Sequence, residues 1–398
     1  MCVSWTPLPC KSCPTHACTC RASAGTTICT LSNDSKPAFE LAVEIMMRTT
    51  STLVALTLTL AACGGGGGSS SGSSPSSTGL SSEQRTALVS AITEQQIVPA
   101  MTAVHSHAST LNEQVQQWCQ APQADGLTAL QQQWRDTANA WYQAQLFNFG
   151  PADADPVLPL YTYIDSLRLR GTDYRATVRT TQASWLQQDE LNNAFFAEQR
   201  FQYVGLLALE EALFYGPELA QQYVDEPKRC DLLTGLSQQL AIRTEALQQG
   251  WSLNYNNSGT AYQQLLINNQ LPTGRDAMAQ LLIAAQEYLD YFKKRNIVTL
   301  AGTTAEVSWQ LAEQALTAAK QLLTQPYAGT SLLQHMQQQG YELNVNAVNS
   351  NIAMAEQALS ERDSDSFNAA IGMLDGNFKR EIPVALGIEL GINFSDGD

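Results

Sequence analysis

Phe201-Gln202-Tyr203-Val204-Gly205-Leu206-Leu207-Ala208-Leu209-Glu210-Glu211-Ala212-Leu213-Phe214 is apolar on nearly every side for two helical turns. That is the composition of a helix enclosed by other elements rather than of one lying on a surface. Two adjacent carboxylates fall inside it, where an unpaired charge is costly, so at least one should meet a cation, an arginine or another carboxyl. Neighbouring helical positions diverge by about 100°, which predicts that one of Glu210 and Glu211 faces inward and the other faces solvent; the alternative places both, wetted, near a helix end.

Outward from this segment the same periodicity continues. Leu88, Ile92, Ile97 and Val104 recur at helical spacing, with Pro99 placed to kink the run. Trp134, Ala138, Trp141, Ala144/Gln145 and Phe149 form a second stripe. Leu281-Leu282, Ala285, Leu289 and Phe292 form a third, and Trp309, Leu311, Leu316, Ala319 and Leu322-Leu323 a fourth. Alternation of strand type is nearly absent, and the class reads as all-α. Breaks at 150–159, 216–227, 254–259 and 272–274 leave about eight to ten helices, enough for two packed helical bundles. The division is placed at 81–240 and 241–398.

The 398 residues carry 22 Lys+Arg against 37 Asp+Glu, a net charge of −15. A nucleic-acid binder needs a basic face, and no basic cluster exceeds Lys293-Lys294-Arg295. Six of the nine cysteines (Cys2, Cys10, Cys13, Cys18, Cys20 and Cys29) precede position 45, and only Cys119 and Cys230 follow position 63. A disulfide scaffold is therefore excluded for the body of the chain.

Met46-Met47-Arg48, the apolar run Leu53 to Leu60 and Ala61-Ala62-Cys63 have the pattern of a secretory signal over 46–62. The run is far shorter than the roughly 20 residues a membrane span needs. Leu60-Ala61-Ala62-Cys63 resembles a bacterial lipobox, which makes Cys63 the expected acylation site. Gly64 to Gly68 and the Ser-rich stretch through Ser77 form a flexible tether over 63–80. Gly64 after the cysteine fits an outer-membrane lipid anchor on the periplasmic side. Translation is expected to begin at Met46 or Met47, with 1–45 as translated upstream DNA. Cys10-x2-Cys13 with His16, Cys18 and Cys20 lacks the second separated pair of a zinc site. Residues 63–398 carry 18 Lys+Arg against 34 Asp+Glu, or −16. In an oxidising periplasm Cys119 and Cys230 are either a disulfide closing a long loop or two buried thiols.

Catalytic motifs are missing. Gly-x-Ser-x-Gly, the phosphate-binding Walker A loop and His-Glu-x-x-His do not occur. His105 and His107 point to different sides of a helix, and His335 reads as a packing or surface residue.

Gly205-Leu206-Leu207-Ala208-Leu209-Glu210 followed by Leu213-Phe214-Tyr215-Gly216 resembles the Gly-x-His-x-x-Glu signature of imelysin-like proteins. Trp134 to Trp141 leading into Phe147-Asn148-Phe149-Gly150-Pro151, Tyr163-Ile164-Asp165-Ser166, and the tail from Leu386 to Asp398 agree with the same family over roughly residues 85–398. The resemblance implies two helical bundles, a periplasmic or lipoprotein address, and a site between the bundles that contains the signature. It also implies a relation to metallopeptidases, and for some members to iron acquisition and its transport components. The chain departs at Leu207, where the signature has His. In a helix 207 and 210 share a face, so a His-Glu pair would ligate a metal, and leucine cannot. A divalent or ferric ion would then rely on carboxylates: Glu210, Glu211 and Glu306, or the acidic tail. The expectation is a non-catalytic protein that binds a metal, a metal complex or another ligand in the cleft and serves iron uptake. The alternatives are a metal-free interaction lipoprotein and a metallopeptidase. Oligomeric state is not legible.

Overall fold

The computed structural model describes residues 18–23, 26–31, 79–166 and 172–391. The expected signal segment 46–62, Cys63 with the Gly/Ser-rich stretch through 78, and the acidic tail 392–398 lie outside the described residues. One unit, Met1–Gly72, contains an antiparallel hairpin in which β1 (Cys18–Ser23) pairs with β2 (Thr26–Leu31) and Cys20 stands opposite Cys29. The other, Ser73–Asp398, is all-α among its described residues.

In chain order its helices are α1 (Ser82–Ile92), α2 (Val98–Trp118), α3 (Ala124–Ala144), α4 (Leu160–Ile164), α5 (Arg175–Trp185) and α6 (Asn193–Ala197). Then follow α7 (Gly205–Phe214), α8 (Leu219–Asp225), α9 (Lys228–Ser252), α10 (Tyr262–Ile267) and α11 (Ala277–Arg295). The last five are α12 (Ser308–Thr324), α13 (Leu332–Gln338), α14 (Glu342–Glu361), α15 (Ser364–Lys379) and α16 (Glu381–Leu386). Ten of these have ten residues or more; the other six are too short to show a periodic stripe in the sequence. None of the described helices is long and apolar enough to cross a membrane.

The predicted stripes are the buried faces. Leu88, Ile92, Ile97 and Val104 are enclosed, as are Trp134, Ala138 and Trp141 of α3, while Trp309 is only partly covered. Pro99 leaves its mark one turn upstream: Thr93–Ile97 is a π-helical turn, and the Val98 N–H donates to the Thr93 carbonyl. A proline lacks the N–H that would continue the ladder, and a widened turn absorbs the mismatch. Capping boxes start α1 (Ser81 with Gln84) and α13 (Ser331 with Gln334).

The long helices pack as two groups over one continuous hydrophobic core. α2, α3, α7 and α9 form the first, and α11, α12, α14 and α15 the second, with α12 also lying against α3. Residues 240 and 241 both lie within α9, which has no break there. Its glycine at 235 admits a close neighbour, since a Cβ there would stand 2.1 Å from the Phe196 ring. Cys119 at the end of α2 is disulfide-bonded to Cys230 at the start of α9, 111 residues on. The first and last described helices meet where the Leu80 N–H donates to the Leu386 carbonyl at 2.9 Å and Arg85 Nη2 to the Gly387 carbonyl at 2.6 Å.

Candidate functional site

Helix α7 is buried from Gly205 to Leu213, as its all-round apolar character requires. The expected split of its carboxylates does not occur: Glu210 is 1% exposed and Glu211 3%. The cause is that α7 is covered on both sides, by α3, α5 and α9 and by the turn that precedes α12. Glycine at 205 is dictated by backbone. Its φ is +79°, and a Cβ would fall 2.5 Å from the Tyr163 carbonyl oxygen and 2.6 Å from that of Ile164.

Neighbouring side chains fix α7 by donating to its carbonyls. Trp134 Nε1 reaches Leu206 at 3.0 Å and Gln182 Nε2 reaches Ala208 at 2.8 Å. The Tyr223 hydroxyl reaches Ala212 at 2.9 Å and Gln131 Nε2 reaches Leu213 at 2.7 Å. A helix held from four directions presents its side chains with little freedom, which suits a positioned site.

Glu210 Oε1 accepts the Ala305 backbone N–H at 2.9 Å. Burial raises this carboxyl from the ordinary range to about 7, and the charge of Glu211 adds to the rise, against the lowering pull of the Ala305 and Thr304 N–H groups. Glu211 is handled differently. It forms an ion pair with Arg179 Nε, and its Oε1 accepts the Thr304 hydroxyl at 2.6 Å. The Arg179 guanidinium carbon stands 3.6 Å from the centroid of the Tyr215 ring, so the cation is held from a second side. Two adjacent carboxylates thus have separate roles: one is ion-paired, and one is poised to hold or release a proton near neutrality.

On its other side Glu210 lines a cavity of about 10 Å³, the size of one water, shared with Leu207, Asp165, Tyr142 and Trp134. Asp165 is buried and accepts from Trp141 Nε1 at 3.3 Å and Gln145 Nε2 at 3.0 Å. Burial first, and the Asp165 charge next, push the Tyr142 hydroxyl well above its usual range, so it stays a proton donor. Leu207, 2% exposed, fills this cavity with hydrocarbon. A larger cavity of about 250 Å³ opens beside Glu211 and is walled by Arg179, Tyr215, Gln182, Gln222 and Tyr223.

Glu306 does not join the other two. It is exposed, at φ +60°, and among the described residues its carboxylate forms no hydrogen bond or ion pair. It is the backbone of the preceding residues that meets Glu210, because the turn closed by the Val307 N–H on the Gly302 carbonyl at 2.8 Å directs N–H groups inward. No described group of three or more His, Cys, Asp or Glu could hold a metal ion. The donor set at α7 is unsuited to a bare first-row metal: one carboxylate is locked to an arginine, the other takes a backbone N–H, and position 207 offers no lone pair. The three described histidines stand elsewhere, with His335 buried in α13 and its imidazole lowered by that burial. Sequence reasoning missed Arg179, Thr304 and the Ala305 N–H. The need for a cation was readable; its position was not, and a backbone donor leaves no residue-type signal.

Comparison with known proteins agrees with this architecture. The family model described as imelysin (peptidase M75) matches residues 97–382. An imelysin-like protein from Psychrobacter arcticum 273-4 superposes with a TM-score of 0.63 at 18% identity, covering 79% of this chain and 99% of that one. A solved structure from Parabacteroides distasonis ATCC 8503 does so at 0.57 and 14% identity, covering 78% and 97%. At these identities the two structures speak for the fold alone. Iron-regulated protein A from Synechococcus elongatus is 39% identical over 62 residues, a match spanning 16% of this chain and 17% of that relative.

Proposed function

The chain belongs to the imelysin family, and on that premise we propose that it is a non-catalytic, lipid-anchored binding protein of the periplasm with a part in iron acquisition. One observation carries the reading: Leu207 stands where the signature has an imidazole and packs into the cavity that Glu210 and Asp165 share. A zinc hydrolase needs about three protein ligands and an open position for water. Here Asp165 is held by Trp141 and Gln145, Glu210 by Ala305, and the remaining space admits one water. No hydrolytic step follows from such a set.

The ligand is then larger than a bare ion, and the cavity of about 250 Å³ beside Glu211 is where we place it. Arg179, Gln182 and Gln222 offer donors and Tyr215 a ring face, a lining suited to a metal complex or another polar ligand. The iron link is supported by the name of the Synechococcus relative, and the lipid anchor by Leu60-Ala61-Ala62-Cys63. Titration with ferric citrate, followed by tryptophan fluorescence with free citrate as control, tests the reading alongside elemental analysis. Saturable quenching by the complex, with no stoichiometric bare zinc or iron retained, is expected. One tightly held equivalent of metal, or chelator-sensitive cleavage of a peptide, would defeat it.

A further inference from the structure

Among the described residues, each buried carboxylate has a cation or a hydrogen-bond donor. Glu211 has Arg179, and Asp375 has Lys293 at 2.8 Å and Gln286 at 2.8 Å. Arg243 of α9 has nothing of the kind. It is 8% exposed, and its side chain makes no hydrogen bond or ion pair with any described part of the chain. Its Nη1 is shut off from solvent without a partner. The one contact its charge makes is with the Tyr163 ring, whose centroid lies 4.9 Å from the guanidinium carbon. Burial lowers the guanidinium to about 10, a measure of how poorly the protein solvates it. An anion brought to a cation in this condition would relieve its unmet charge and hydrogen-bonding capacity.

The guanidinium borders a cavity of about 440 Å³, bounded by the 151–163 segment on one side and α9 on the other. Its other walls are mostly hydrocarbon and ring: Pro151, Leu158, Leu160, Ala246 and Tyr255. Asp155 is also at the wall, but its Oδ1 is engaged by the N–H groups of Val157 at 2.8 Å and Leu158 at 3.1 Å. Tyr163 faces this cavity, whereas Asp165, two residues on, faces the one shared with Glu210. The two sites therefore lie on different sides of the same short segment.

We infer that this cavity binds an amphipathic organic carboxylate, its anionic group on Arg243 and its apolar body along Leu158, Leu160 and the Tyr255 ring. A single guanidinium matches one negative charge and grips a carboxylate in a bidentate manner. The lining offers no second cation for a phosphate dianion.

Isothermal titration calorimetry of the full chain with octanoate, 1-octanol and inorganic phosphate tests this. Octanoate should saturate one site, with octanol and phosphate each at least tenfold weaker. Arg243→Met should weaken octanoate at least tenfold and leave octanol unchanged. Ala246→Trp, at an exposed position on the cavity wall, should weaken octanoate and octanol alike, and it carries the test if the Arg243 variant fails to fold. No saturable octanoate heat, equal affinity for octanoate and octanol, tighter phosphate binding, or octanoate affinity that survives either substitution overturns the inference.

Discussion

Glu210 makes a prediction whose size follows from the structure. Its carboxyl titrates near 7 when folded and near the ordinary 4.5 when unfolded. Between those values the folded chain holds a proton that the unfolded chain has released, so stability falls as pH rises through that window. The cost is absent below about pH 4.5 and complete above about pH 7. A gap of this size corresponds to about 3 kcal/mol, an order-of-magnitude figure because Glu211 is adjacent. Glu210→Gln keeps an oxygen for the Ala305 N–H and cannot ionise. Urea denaturation of both proteins at half-unit steps from pH 5 to 8 gives the difference. The variant should gain on the parent by about 3 kcal/mol across the range, with a limiting slope of about 1.4 kcal/mol per pH unit. A difference that stays flat within about 0.5 kcal/mol, the scatter of ordinary surface substitutions, would show that Glu210 is ionised throughout and refute the assignment of burial as the dominant influence.

Three further outcomes are expected. Leu207→His puts an imidazole into the cavity lined by Glu210 and Asp165, and zinc affinity measured by competition with a chromogenic chelator should rise at least about tenfold; no rise would mean that the carboxylates cannot turn from their present donors. Gly205→Ala forces a Cβ against the Tyr163 and Ile164 carbonyls at positive φ, and should cost about 2 kcal/mol or more, seen as a lower thermal midpoint. Replacing Cys119 and Cys230 by serine frees a loop of 111 residues, and the chain-entropy account puts the loss at about 5 kcal/mol; an unchanged denaturation midpoint would show that the crosslink adds no stability.

Much of the helical framework was legible because burial and breaks leave local marks. The stripes of α1 to α3 and α12 and the enclosed character of α7 were all readable from side chains three and four apart. Three short helices, α4, α8 and α10, sit in or beside the breaks, and they and the five-residue α6 carry no stripe to read. The site was half legible. Glu210 and Leu207 stood out by type and spacing, but the partners of Glu211 lie 32 and 93 residues away, a relation no local pattern encodes. Glu306 was picked for its carboxylate, yet the useful chemistry of that turn is in its peptide N–H groups, which every sequence supplies equally. Nothing in the local sequence marks Arg243, and only the packing of the 151–163 segment beside it reveals its isolation.

The junction of the first and last described helices has a mechanical meaning. A chain held by its amino-terminal side transmits drag into the body at Leu80 and Arg85, and those two residues are fastened to Leu386 and Gly387. Force entering there is shared at once between the first and last described helices and enters outside the disulfide-linked pair α2 and α9. The seam loaded first is therefore the junction of Leu80 and Arg85 with Leu386 and Gly387. Peeling it would loosen the terminal helices while the crosslinked helices beneath α7, and the paired carboxylates they support, stay in register.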